Sequence, residues 1–176
     1  GVDRFGMAEA LQETGAKLTF GDLLFCLGLN KPLRSLEALA GWAKVLAPVV
    51  TRLPVSWLYP MGKEQQKRTP KFSQYFLEND IIAGDFHFIR KFMPEKLPGK
   101  IIITNTVTAK DRAMLKEAGV KLLVTTTPSL EGRSFGTNVM EALLVALKGA
   151  KASLSAGEYI EWLDKYKVEA SVEYLK

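Results

Sequence analysis

Lys100-Ile101-Ile102-Ile103-Thr104-Asn105-Thr106-Val107-Thr108-Ala109-Lys110-Asp111, running on to Leu115-Lys116-Glu117-Ala118-Gly119-Val120-Lys121-Leu122-Leu123-Val124-Thr125, decides the fold class. The apolar run over residues 100–103 is short, β-branched and continuous, as a strand covered on both faces requires. Thr108, with an acid three residues later at Asp111, reads as a capping box: hydroxyl and carboxylate reciprocally satisfy backbone N–H groups at a helix start. That helix stops at Gly119, because glycine takes the left-handed backbone of a helix end most readily. Residues 121–124 then form a second buried strand. Strand, helix and strand in this order make a parallel crossover, the building unit of a layered α/β domain.

The same grammar recurs upstream. Leu11-Gln12-Glu13-Thr14-Gly15-Ala16-Lys17-Leu18 shares the pattern L-x-E-x-G-x-K-L with residues 115–122. It predicts a helix ending at Gly15 and a strand over 17–20. A further buried strand is expected over 81–83. Thr69-Pro70 supplies a cap and a proline at the first helical position, followed by an apolar stripe of Phe72, Tyr75 and Phe76. Asn138-Val139-Met140-Glu141 resembles another capping box, opening a helix to about Lys148. The tail reads as a Ser/Gly-led helix through Tyr159 and Trp162, then a short strand over 170–174. The stretch 32–60 departs from this alternation. Leu36, Leu39, Ala40, Ala43, Leu46, Val50 and Leu53 follow helical spacing, and Pro48 is expected to break or kink the helix. Its Trp42, Trp57 and Tyr59 need burial, either against the sheet or in a lid or homodimer interface. The expectation is one Rossmann-like, three-layer α/β domain over 1–176 with a mostly parallel sheet.

Composition agrees with that class. The chain has 176 residues, 47% of them hydrophobic and 24% charged, enough for one sizeable core. Its single cysteine, Cys26, cannot form an intramolecular bridge, so a reducing, cytoplasmic setting is the simplest reading. No apolar stretch is long enough to span a bilayer. A net charge of +5 is mild. Lys63, Lys67, Arg68 and Lys71 cluster without the aromatic ladder of a nucleic-acid surface, which leaves a solvated face or attraction of an anionic partner. Gly1-Val2-Asp3-Arg4-Phe5-Gly6 reads as a loop entering a helix, as though a strand preceded it. The chain therefore reads as the C-terminal part of a longer protein, with its N-terminal part as a partner.

Functional expectations concentrate at the strand ends. Each apolar run is followed by small polar residues: Gly21-Asp22, Gly84-Asp85-Phe86-His87, Thr104-Asn105-Thr106 and Thr125-Thr126-Thr127. In a parallel sheet the carboxyl ends share one edge, and ligands bind there where the strand order reverses. The segment Glu131-Gly132-Arg133-Ser134-Phe135-Gly136-Thr137-Asn138 precedes an apolar helix. Unbonded N–H groups and the positive end of a helix dipole favour an anion at such a start. Arg133 can make paired hydrogen bonds to phosphate or carboxylate, and Ser134 and Thr137 add hydroxyls. The alternative is plain capping by Thr137 or Asn138 with Arg133 on the surface. Asp3, Arg4, Phe5 and Gly6 form a second candidate phosphate loop, and Asp22 stands where an acid would hold ribose hydroxyls. Asp85 and His87 are candidate acid–base residues; Lys63 is a weaker candidate. With one histidine and one cysteine, no histidine cluster or thiolate zinc site can be built.

The runs Val2-Asp3-Arg4-Phe5-Gly6-Met7-Ala8-Glu9-Ala10, Trp57-Leu58-Tyr59-Pro60, Ile82-Ala83-Gly84-Asp85-Phe86-His87 and 132–142 together resemble a bacterial family often labelled quinate 5-dehydrogenase. The resemblance covers roughly residues 2–148. It implies a C-terminal Rossmann-like part of a longer protein and an NAD(P)-linked oxidation of a cyclic polyol acid. Two departures stand against that activity. Better-understood shikimate and quinate dehydrogenases carry an Asn-x-Thr-x-Pro-x-Lys motif. The nearest stretch here, Asn105-Thr106-Val107-Thr108-Ala109-Lys110-Asp111, lacks the proline and displaces the lysine. A Gly-x-Gly-x-x-Gly turn is also absent. A binding domain for a nucleotide or a small phosphorylated or carboxylated metabolite is therefore expected, part of such a dehydrogenase or a non-catalytic sensing or self-association module.

Overall fold

The computed structural model describes residues 4–52, 54, 68–130 and 132–175, with the side chains at 49, 50 and 130 excepted. Asp3, Trp57, Tyr59, Lys63, Lys67 and Glu131 lie outside them. The chain forms two compact units: one of residues 1–75 and 87–94, the other of 76–86 and 95–176.

The first unit is helical. It holds α1 (Phe5–Glu13), the single turn α2 (Asp22–Phe25) and α3 (Leu36–Val50). Its core is a cluster of Ala8, Phe20, Leu23, Leu33 and Leu39, with Leu18, Trp42 and Leu46 packed against it. The described part of the 32–60 excursion is thus a helix, α3, that packs into this cluster. Pro48 does not break α3, which continues to Val50, although the proline supplies no N–H for the Lys44 carbonyl. The strand expected over 17–20 does not form. Only Phe20 bridges, antiparallel, to Leu33. One pair of backbone hydrogen bonds joins them, at 2.8 and 3.2 Å. The helix expected to open at Pro70 also begins later, as α4 (Ser73–Glu78). The amides of Thr69 and Lys71 instead donate to the carbonyls of Lys91 and Phe92 at 2.7 and 3.3 Å.

The second unit carries the sheet. Its strands are β1 (Ile81–Ala83), β2 (Ile101–Thr104) and β3 (Leu122–Thr125). α5 (Phe86–Phe92) follows β1 along the chain but belongs from His87 onward to the first unit, and α6 (Ala109–Glu117) follows β2. A small hairpin of β4 (Ser129–Leu130) and β5 (Arg133–Ser134) follows. Then come α7 (Thr137–Lys148), α8 (Ala156–Lys165) and β6 (Ser171–Tyr174). The strand order is β1-β2-β3-β6, parallel except for β6. This is an α/β fold, Rossmann-like in its β-α-β-α-β run, with eight helices among the described residues. The three parallel strands follow one another in sequence order, so no reversal of strand order occurs among them.

Local chemistry explains the elements. Thr108 and Asp111 make the expected capping box, and Ser155 with Glu158 makes a second at the start of α8. α7 opens one residue before the expected Asn138 box, with Gly136 as its cap, and closes on left-handed Gly149. One sheet face is buried through Ile82, Ile102, Thr104, Leu123 and Thr125. α6 lies on that side, since Arg112 Nε donates to Glu173 Oε2 of β6 at 3.0 Å. The other face pairs Ile81, Ile101, Leu122 and Tyr174 in one row and Ala83, Ile103, Val124 and Val172 in the next. Its edge residues are open: Ile81 is 44% exposed, Val172 61% and Tyr174 64%. The apolar runs expected to be covered on both faces are therefore deeply buried on one.

Candidate functional site

Parallel pairing sets the ends of β1, β2 and β3 on one edge of the second unit. Thr104 pairs with Thr125, and the Gly84 amide donates to Ile103 O at 3.1 Å. Thr104 Oγ1 in turn donates to Gly84 O at 2.7 Å, tying the first two strand ends together. Thr126 N–H donates to Thr104 O at 2.9 Å, tying the second to the third.

The loop after β2 is locked to the loop that opens α7. Ser134 N–H donates to Val107 O at 2.9 Å. Val107 N–H answers by donating to Ser134 Oγ at 2.7 Å. Asn105 Nδ2 donates to Thr137 Oγ1 at 3.0 Å, which joins the end of β2 to the first residue of α7. Thr127 Oγ1 donates to Phe135 O at 2.6 Å. Thr104, Asn105, Thr127 and Ser134 are buried, so these bonds operate away from water, where an unmade bond would be costly. Thr106 holds a left-handed backbone, φ +55°. A β-branched residue rarely adopts that conformation, and such strain persists only when its surroundings enforce it.

Two features of this edge lack the usual side-chain hydrogen bond. Gly136 caps α7 in extended backbone and makes no side-chain cap hydrogen bond. Thr125 Oγ1 is buried, its residue 2% exposed, and finds no hydrogen-bond partner. Arg133 is exposed on β5, one residue from the buried Ser134. Gly132 takes φ +78° in the hairpin turn, a conformation that needs glycine.

The chain belongs to the family Domain of unknown function (DUF8754). The match spans residues 1–175. No curated protein and no solved structure matches the chain. Family membership therefore adds no activity to the geometry.

The structure brings some expected site residues together and leaves others apart. Asp85, Asn105, Thr106, Thr125, Thr126, Ser134, Phe135, Gly136, Thr137 and Asn138 belong to the carboxyl edge of the second unit and its α7 loop, with Arg133 on the adjoining hairpin. Asp85, half-buried, stands between β1 and α5. Asp22 and His87 belong to the first unit, Asp22 opening α2 and His87 in the first turn of α5. Arg4, Phe5 and Gly6 are also there, at the start of α1. Phe5 packs on the first unit's core cluster. Among the described residues no group of three or more His, Cys, Asp or Glu is placed to hold a metal ion. None of the described helices is long and apolar enough to cross a membrane.

Sequence reasoning missed Arg112. Its guanidinium donates to Glu173 of β6, to Ser129 Oγ at 3.2 Å and to Gly132 O. One side chain on α6 thereby holds both the hairpin that carries Arg133 and the edge strand. Its partners lie far away in sequence, so no local pattern announces it.

Proposed function

We propose that the second unit binds a small phosphorylated or carboxylated metabolite at the carboxyl edge of its sheet, over the start of α7. The observation that carries this reading is the Thr125 hydroxyl, buried without a partner at a strand end that borders the α7 loop. An unpaired buried hydroxyl costs about 1–3 kcal/mol, and a ligand reaching that edge would offset the cost. The start of α7 favours negative charge through its dipole and first-turn N–H groups. Arg133, exposed and close in sequence, can supply paired donors.

Thermal unfolding with inorganic phosphate, NADH and NADPH tests this. Saturating ligand at about 100 times its Kd should stabilise the fold by about 2.7 kcal/mol. Arg133→Ala should remove most of that gain. An unchanged gain in the variant takes Arg133 out of the site, and no gain with any of the three defeats the reading.

The β-α-β-α-β run supports a nucleotide as the ligand, and the resemblance to quinate 5-dehydrogenases carries that to NAD(P). The phosphates of such a cofactor fit the chemistry of the α7 start and Arg133. Its ribose would look to Asp85 within this unit. Bound, the cofactor would supply hydride chemistry; the chain's own part would be to orient it. Cofactor-fluorescence titration separates the possibilities: binding without oxidation of a cyclic polyol acid leaves a sensing module, and no binding at millimolar cofactor excludes the dehydrogenase.

A further inference from the structure

The first unit contains a cavity of about 400 Å³ that shares no lining residue with the sheet edge. Its apolar wall is built by α2 and the end of α5. Leu24 is 1% exposed and Phe92 6%. Phe25 stands 5.1 Å from Phe92, ring centroid to centroid, and 6.0 Å edge-on from Phe72. Gly21 makes that placement possible, since a Cβ there would fall 2.6 Å from the Phe25 ring. The strap of residues 69–71 also lines the cavity, held against α5 by the hydrogen bonds that the Thr69 and Lys71 amides donate. Lys71 and Lys91 both line the cavity. Lys91 Nζ lies 5.4 Å from the Phe92 ring centroid. Among the described residues neither ammonium has an ion-pair partner and no carboxylate lines the space.

We infer that this cavity binds a small acid with a flat apolar body, an arylcarboxylate in chemical class. Its ring would lie against Phe25, Phe92 and Leu24, and its carboxylate would be held by Lys71 and Lys91. The volume is within the usual range for small-molecule pockets, which is on the order of 300–1,000 Å³. Flat rings stack on aromatic walls, and two cations without an ion-pair partner among the described residues select negative charge over a neutral head group. Cys26, exposed and in no disulfide, lines the same cavity and reports its occupancy.

The experiment follows alkylation of Cys26 by iodoacetamide, read as intact mass, in the whole chain. Iodoacetamide is neutral, and no other cysteine competes. Added 1-naphthoate should slow alkylation saturably. 1-Naphthalenemethanol, the neutral analogue, and inorganic phosphate should each protect at least about tenfold more weakly, the size of one lost charge-assisted contact. Lys71→Gln with Lys91→Gln should weaken naphthoate protection by a similar factor while circular dichroism stays unchanged. Equal protection by the alcohol or by phosphate would overturn the inference, as would no saturable protection by naphthoate in the wild-type chain. Arg133→Ala should leave this protection intact, so failure here is distinct from failure at the sheet edge.

Discussion

Residues 11–18 and 115–122 share the pattern L-x-E-x-G-x-K-L, and each closes its helix on a left-handed glycine, φ +78° at Gly15 and +83° at Gly119. Beyond the glycine they part. After Gly119 the chain enters β3, the strand flanked by β2 and β6. After Gly15 it makes one bridge, Phe20 to Leu33, and turns into α2. The junction is local chemistry and forms in both places. A strand needs neighbours. Ala118 and Gly119 carbonyls accept from the amides of Leu97 and Gly99, and Lys121 N–H donates to Lys100 O, so the second junction is stitched to the approach of β2 before β3 starts. Residue content differs too: Leu122-Leu123-Val124 is continuously apolar, whereas Leu18-Thr19-Phe20 alternates.

The largest effect is expected at the residues that follow the two glycines. Leu123→Ala empties a site 1% exposed and should cost about 2–5 kcal/mol. Thr19 occupies the matching position, half-buried, and accepts a 3.2 Å hydrogen bond from Arg34. Thr19→Ala should cost less than about 1 kcal/mol. Urea midpoints give both values, and similar costs would erase the distinction between a sheet strand and a lone bridge. A smaller contrast is expected at the glycines. Any side chain in left-handed backbone costs roughly 1–2 kcal/mol. At Gly15 nothing lies within 4 Å of the missing Cβ, but at Gly119 Pro98 Cα waits at 3.4 Å. Gly119→Ala should therefore be the more destabilising of the two, and a reversed order would mean that the approach of Pro98 has no consequence.

The smallest effect concerns the other flank of β3, where α8 delivers β6. Lys148 and the Ser155 amide and hydroxyl hydrogen-bond the Glu158 carboxylate and bring its pKa from the ordinary 4.5 to about 2. A pKa lowered by folding contributes stability that is complete above the ordinary value and lost as pH falls towards the folded one. The Ser155 amide resonance of the folded chain should accordingly titrate with a midpoint near pH 2 rather than 4.5, and a midpoint at the ordinary value would break the capping box.

How far the sequence could be read follows from the same contrast. β1 was legible to the residue, β2 and β3 within one, because their runs are short, apolar and bounded by polar residues. The capping box at Thr108 was legible because both members sit on one turn, whereas the box expected at Asn138 gives way to Gly136 as the cap. Residues 17–20 misled, since an apolar run carries no mark of whether a partner strand exists. Pro70 misled for a related reason: the Thr69 and Lys71 amides prefer the α5 carbonyls, a choice made by tertiary structure. At the candidate site, Asn105 and Thr125 stand out by their positions after apolar runs, and the 133–138 loop by its place before an apolar helix. Their bonding could not. Ser134, expected to offer a ligand hydroxyl, spends its oxygen on the Val107 amide.

Arg112 gives the second unit a single fastening point for two otherwise separate margins. Its guanidinium spans from the turn before Arg133 to the last strand of the sheet. Tension applied at either margin is transmitted through one planar group. Arg112→Ala would therefore release the hairpin turn and the last strand together.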